Sequence, residues 1–186
     1  MLTMDQNKVI EMLQDYAPLD KDEMAAKEQT IAFMKKYPDC FQRSLEIGHI
    51  TASSWLLSRD GKKALLMHHA KLDIWVQLGG HCDGNPDVLA VAIKEAQEES
   101  GIQAISPVCE EIFDIDVHRI PASKNVKEHN HYDIRFLLQV TSDEEIVQNS
   151  ESKDLRWVEK NLDELPTRQP SILRMFNKWN DRPAFN

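Results

Sequence analysis

A chain of 186 residues, 41% of them apolar and with a formal charge of −9, is long enough for one domain with a proper core plus an accessory segment. The charge argues against general affinity for nucleic acid, whose backbone must be neutralised by Lys and Arg. It does not exclude small phosphate esters, which an acidic protein can bind through divalent cations.

The opening "MLTMDQNKVIEML" turns acidic and amphipathic at once. It lacks the basic start and apolar centre of a secretory signal. No later apolar run approaches the roughly 20 residues that span a membrane. Residues 5–37 read as two helices. Val9, Leu13 and Tyr16 fall at helical spacing in the first. In the second, Asp20 followed by Glu23 resembles a capping box, Met24, Ile31 and Met34 supply an apolar stripe, and Pro38 stops the run. These helices carry no chemical signature. Their expected role is packing or self-association as a homodimer, in an extension over residues 1–44 ahead of a main domain over 45–186. Cys40, Cys82 and Cys109 are odd in number and widely spaced, which argues against a disulfide framework and for a reducing, cytoplasmic setting.

From Ile47 the pattern becomes strand-like. "ITASSWLLS" and "KALLMHHA" flank "RDGK", whose Asp60-Gly61 is a strong hairpin signal. "DIWVQL" is a short strand that enters Gly79-Gly80. A helix follows from about Pro86 to Ser100. "EEIFDIDVHRI" is a strand with Phe113, Ile115 and Val117 on one face and Asp114, Asp116 and His118 on the other. "SKNVKEHNHY" reads as a polar loop, "DIRFLLQV" as a strand with Ile134, Phe136, Leu138 and Val140 inward, and "DLRWV" as a last strand. After Pro170 a helix buries Ile172, Phe176 and Trp179. Strands around one strong helix, with helices at both ends, predict an α/β fold, a layered mixed sheet. A doubly wound sheet is disfavoured, since few helices alternate with strands and no Gly-x-Gly-x-x-Gly is present.

The central helix poses the chemical question. Asn85, Pro86 and Asp87 suit its start and Gly101 its end. Leu89, Ala92, Ile93 and Ala96 form the packing stripe. Glu95, Glu98 and Glu99 share a face at i, i+3 and i+4, where each like-charge pair costs roughly 0.2–0.5 kcal/mol. Carboxylates near a helix C-terminus also oppose the dipole, by about 0.3–1 kcal/mol each. A solvated surface tolerates that sum, so an acidic exposed face is one reading. The other is a hard-cation site, since clustered carboxylate oxygens suit Mg²⁺ or Mn²⁺.

"WVQLGGHCDGNPDVLAVAIKEAQEESGI", residues 75–102, resembles the Nudix box of the Nudix hydrolases. In words, that box is Gly, five residues, Glu, seven residues, Arg-Glu-apolar-any-Glu-Glu-any-Gly-apolar. Gly80 is its first Gly, and Glu95 through Ile102 match its end at the right spacing. Trp75 and Gly79-Gly80 resemble the family's Trp-x-x-Pro-Gly-Gly entrance, with Leu78 where Pro is usual. Pro86 replaces the first Glu and Lys94 the Arg, a pair thought to brace the loop rather than perform the chemistry. Losing both strands no charge, and Lys94 is free to pair with Glu98, Asp83 or Asp87.

The resemblance implies a Nudix-like α/β/α sandwich and a hydrolase that cleaves a diphosphate linkage by attack of water on phosphorus, with Mg²⁺ or Mn²⁺ as cofactor. It implies Glu98 and Glu99 as metal ligands, the Gly79 carbonyl as another, and Glu95 as ligand or general base. Glu151 resembles the further Glu that many members recruit from a later loop, with Glu144 and Glu145 as rivals. Asp114, Asp116 and His118 could line the cleft beside Asp133 and Arg135. Arg135 could hold a substrate phosphate or form a structural ion pair with an Asp. His129 and His131 alternate as on a strand and would need a third ligand to make a second metal site. A zinc site at His81, Cys82 and Asp83 lacks the usual spacing. His68 and His69 point to opposite faces. Trp75 and Trp157 read as packing residues. Two other functions share this fold: an isopentenyl-diphosphate isomerase-like enzyme using Cys82 with a Glu, and a non-catalytic ligand sensor. The substrate class implied by the family is a small nucleoside-diphosphate-type compound.

Overall fold

The computed structural model describes residues 6–124 and 126–182. Residue 5, where the sequence reading begins the first helix, and Asn125 in the polar loop lie outside the described residues. Helices α1 (Gln6–Asp15) and α2 (Lys21–Lys36) come first. Strands β1 (Gly48–Leu57), β2 (Lys63–His69), β3 (Trp75–Val76) and β4 (Leu78–His81) lead into α3 (Val88–Ser100). Strands β5 (Ile105–Pro107), β6 (Asp114–Ile120), β7 (His129–Val140) and β8 (Ser152–Glu159) follow, and α4 (Pro170–Asn180) closes the chain.

All eight strands join one sheet. Its spine is the parallel pair β1–β7, in register from Gly48↔Asn130 to Leu57↔Gln139. The other ladders are antiparallel, so the sheet is mixed, as expected. The β1–β2 hairpin turns at Asp60-Gly61, where Gly61 adopts φ 70° and Ser58 N–H donates to the Lys63 carbonyl at 2.9 Å.

Alternation along the strands divides the molecule into layers. Ile50, Ala52 and Leu56 of β1, with Ile134, Phe136, Leu138 and Val140 of β7, face α1, α2 and α3 in one core. Trp55, Leu57 and Leu137 face α4, which lays Ile172, Met175, Phe176 and Trp179 on them. Burying a large apolar side chain contributes about 1.5–3 kcal/mol, so both faces are firmly covered. The N-terminal helices share the main core: Phe33 stacks on Tyr132 with ring centroids 4.0 Å apart.

Several sequence expectations need correction. Met24 is exposed, and α2 buries Glu23, Ala26, Thr30, Phe33 and Met34. The Glu23 carboxylate is gripped by Lys178 and Tyr16, which turns Met24 outward. Asp20 does cap α2 by accepting from Glu23 N–H, but Glu23 reaches Leu19 N–H rather than closing a box. Phe113 joins the α4-side core, unlike Ile115, because it precedes the first β6–β7 pair, Asp114↔Arg135. Strand β7 extends back to His129 through what reads as loop, since β1 and β6 offer backbone partners on both sides. Strand β5, three residues long, is too short to show in the sequence pattern.

Candidate active site

Helix α3 starts two residues later than its sequence predicts. Asp87 is the N-cap and accepts from Ala90 N–H at 3.0 Å, while Asn85 holds the preceding turn by accepting from Asp87 N–H. Pro86 therefore lies in the loop. At the other end Gly101 takes a left-handed conformation, φ 78°, and its N–H closes on the Gln97 carbonyl. The stripe Val88, Val91, Ala92 and Ala96 is buried against β1 and β7. That packing turns Glu95 and Glu99 toward β4. Gly80 leaves room for the Glu95 carboxylate, which would have to swing aside for a side chain there.

Glu99 is 4% exposed and accepts from Gly79 N–H at 2.8 Å. Burial raises its carboxyl to about 8. The Gly79 bond works against that rise, while the negative charges of Glu95, Glu151 and Glu98 add to it. Burial also raises Glu95, opposed by Lys94 and reinforced by Glu98 and Glu151. Lys94 bridges Glu95 and Glu98, at 3.1 Å to each. The loop after β7 is tied to the helix end: Val147 N–H reaches the Ser100 carbonyl and the Asn149 amide the Glu98 carbonyl. Glu151, in that loop, is thereby an electrostatic neighbour of Glu95 and Glu99. Its rival Glu144 instead accepts from Arg59 N–H at the hairpin turn. Four carboxylates around one half-neutralising lysine are the kind of oxygen donor that a hard divalent cation prefers, although among the described residues it is not these oxygens but three imidazoles that converge within 4.8 Å of one another.

The NUDIX domain family model matches residues 48–178, more than half of the chain. The chain belongs to the Nudix family. It is a Nudix pyrophosphohydrolase, acting on the diphosphate of a small compound. Among solved structures of the same fold are a Caenorhabditis elegans Ap4A hydrolase (17% identity, covering 70% of this chain and 93% of that one, TM-score 0.54) and a MutT Nudix hydrolase from Burkholderia pseudomallei (21%, 72% and 98%, TM-score 0.54). A third is the Nudix hydrolase RenU from M. smegmatis (19%, 75% and 91%, TM-score 0.54). No curated protein sequence matches significantly.

The Nudix box departs from its pattern at Pro86 and Lys94, and the structure supplies another brace. Arg43, from the segment after α2, makes a two-pronged ion pair with Asp83, and Gly84 N–H bonds the Phe41 carbonyl. The pair is exposed, so its worth is about 0–1 kcal/mol. Sequence reasoning missed Arg43, since 40 residues separate it from Asp83.

Arg135, a candidate phosphate clamp, is instead the structural ion pair left open beside that reading. It is 2% exposed and directs its nitrogens at Asp133 (2.7 Å), Asp114 (3.0 Å) and Asp116 (3.4 Å). Asp114 is also fully buried and is shared with Arg174 and Lys178. Burial alone would raise Asp114; the Arg174 bond and the charges of Arg135 and Lys178 override it and hold it below the usual range. Both side chains are buried, at 2% and 0% exposure, whereas a clamp must be open to the phosphate that it holds. His118 sits at the rim, part exposed, 3.3 Å from Asp116. Trp75 lies between the His68 ring and the Arg156 guanidinium, and Trp157 packs on the core. Cys82 is buried, and that burial pushes its thiol well up.

Proposed function

We propose that this Nudix pyrophosphohydrolase cleaves a nucleoside-diphosphate-type compound with Mg²⁺, or Mn²⁺, held by Glu98, Glu99, Glu151 and the Gly79 carbonyl. The observation that supports the reading is Glu99. A carboxylate almost wholly removed from water faces three more carboxylates and has one backbone N–H for compensation. A divalent cation, when bound, supplies charge neutralisation of the diphosphate and activation of a water. The chain's own part is positioning. Gly79 N–H fixes one Glu99 oxygen, and Gly101 and Val147 fix the helix end and the Glu151 loop. Glu95, raised by burial and set beside Gly80, takes the proton of the attacking water or adds a metal ligand. The odd number and wide spacing of Cys40, Cys82 and Cys109 are the ground for expecting a reducing, cytoplasmic setting. No described helix is long and apolar enough to cross a membrane.

A product-resolved screen of nucleotide-sugars, dinucleoside polyphosphates and modified nucleotides across a Mg²⁺ titration tests the proposal. Expected is Mg²⁺-dependent release of phosphate, pyrophosphate or two nucleoside phosphates. Product isomers without phosphate release, or tight binding without turnover, would overturn it in favour of the isomerase or the sensor.

A further inference from the structure

Five of the seven histidines gather on the α4 face of the sheet. His49 of β1 lies 4.8 Å, ring centre to ring centre, from His131 of β7, and 5.0 Å from both His129 and His81. His81 is 5.1 Å and His118 5.4 Å from His131. The ladder explains the gathering. Residues paired across strands share a face, and the registers His49↔His131, His118↔His131 and Thr51↔His81 align four strands.

We propose that His49, His129 and His131 form a binding site for a divalent transition-metal ion of the zinc class, separate from the carboxylate site. Their donor nitrogens all lie within 4.8 Å of one another. His129 Nε2 and His131 Nε2 are 3.2 Å apart, close to the roughly 3.3 Å between two nitrogens on a tetrahedral ion with bonds of about 2.0–2.1 Å. His129 Nδ1 stands 2.8 Å from the Lys127 carbonyl. A carbonyl only accepts, so that nitrogen carries the proton and Nε2 turns a lone pair into the cluster, the outer-shell arrangement that orients ligating imidazoles.

His49 is the second, independent observation. It is 3% exposed, and neither of its ring nitrogens makes a hydrogen bond of good geometry, although the Leu45 backbone lies close by. An imidazole buried without hydrogen bonds is costly, and a metal ion would satisfy it. Imidazole donors suit Zn²⁺, Cu²⁺ or Ni²⁺ and not Mg²⁺. His131 and His81, part exposed at the edge, leave a way in. Strand β4 separates the two sites: Gly80, paired with Ala52, faces Glu95, whereas His81, paired with Thr51, faces the imidazoles.

The test uses the full chain, stripped with a chelator and dialysed, in excess Mg²⁺ to occupy the carboxylates. Titration with Co²⁺ should give one equivalent with the visible absorption of a tetrahedral nitrogen site, displaced by Zn²⁺. His129→Asn and His131→Asn should each weaken Zn²⁺ by about tenfold or more, and Glu99→Gln should leave it within about twofold, since the sites share no ligand. In the unmutated chain, Zn²⁺ should shift the ring nitrogen resonances of His49, His129 and His131. Absence of the Co²⁺ band, resonance shifts confined to His68 and His69, or affinity lost in Glu99→Gln but kept in His131→Asn would overturn the proposal. None of these outcomes bears on diphosphate hydrolysis, which is read separately.

Discussion

Arg135 and Glu99 are equally withdrawn from water, at 2% and 4% exposure, yet their surroundings are opposite. Around Arg135 every carboxylate meets at least one cation: Asp133, Asp114 and Asp116 pair with Arg135, Arg174 adds to Asp114 and Asp116, and Lys178 is shared by Asp114 and Glu23. Around Glu99 the near charges are mostly of its own sign, with Lys94 alone to offset Glu95 and Glu98. A balanced buried network holds a fold in one arrangement. An unbalanced one is held together by the rest of the fold, and in the proposed function a cation would balance it. The contrast separates structure from chemistry better than residue type does, since both regions are made of acids and bases.

Removing one acid from the unbalanced region should cost activity and spare the fold. Glu95→Gln should lower turnover by roughly 10²–10⁴ if Glu95 is the base, and raising Mg²⁺ should rescue it partly if it is a ligand. Glu99→Gln should cost at least the roughly 10² that outer-shell losses reach. Steady-state kinetics across a Mg²⁺ titration measure both, and wild-type turnover in either variant at limiting Mg²⁺ would dissolve the contrast.

The balanced region should respond the other way. Arg135→Met strands buried carboxylates, and breaking such a network costs about 3–5 kcal/mol. A urea midpoint unchanged from wild type would show that Arg135 is not structural.

The pH dependence sharpens the comparison, because the two regions have opposite signs. Glu99 is raised from 4.5 to about 8 by folding. Its contribution is present below about 4.5 and lost as pH rises through 8. Metal-free protein should therefore lose about 2 kcal/mol between pH 6.5 and 8, a decline that Mg²⁺ or Glu99→Gln removes. Asp114 and Asp116 are held below 3.8 against the opposing effect of burial, so their contribution is lost as pH falls below about 4. Burial of His49 and His131 lowers those rings to about 4 and about 2, which weakens the protein as pH falls from 6.5. Urea midpoints at pH 5, 6.5 and 8, with and without Mg²⁺, read these slopes. A flat profile above pH 6.5 without metal would contradict the buried Glu99.

The smallest effect is expected at Lys94→Arg, which should change activity by less than Glu95→Gln does. Arg keeps the charge between Glu95 and Glu98, and Pro86 offers no carboxylate for its fork. A larger change would mean that Lys94 acts on the substrate rather than on its neighbours.

The sequence by itself determined the helix with its glutamates, the hairpin at Asp60-Gly61 and the apolar faces of β7 and α4. These depend on spacing within one segment, where periods of 2 and 3.6 and turn chemistry are local. The family resemblance pointed to Glu151, with Glu144 and Glu145 as rivals. What only the tertiary structure decided is which polar residues share surroundings. Arg135 and Asp114 pass in sequence for cleft residues, because nothing local says that Arg174 and Lys178 of α4 will close over them. Arg43 bracing Asp83, and His49 standing beside His129 and His131, depend on partners 40 and about 80 residues away. Charge balance in a folded protein is set by contacts across elements, and desolvation by what covers them. Neither is written in the spacing of one segment.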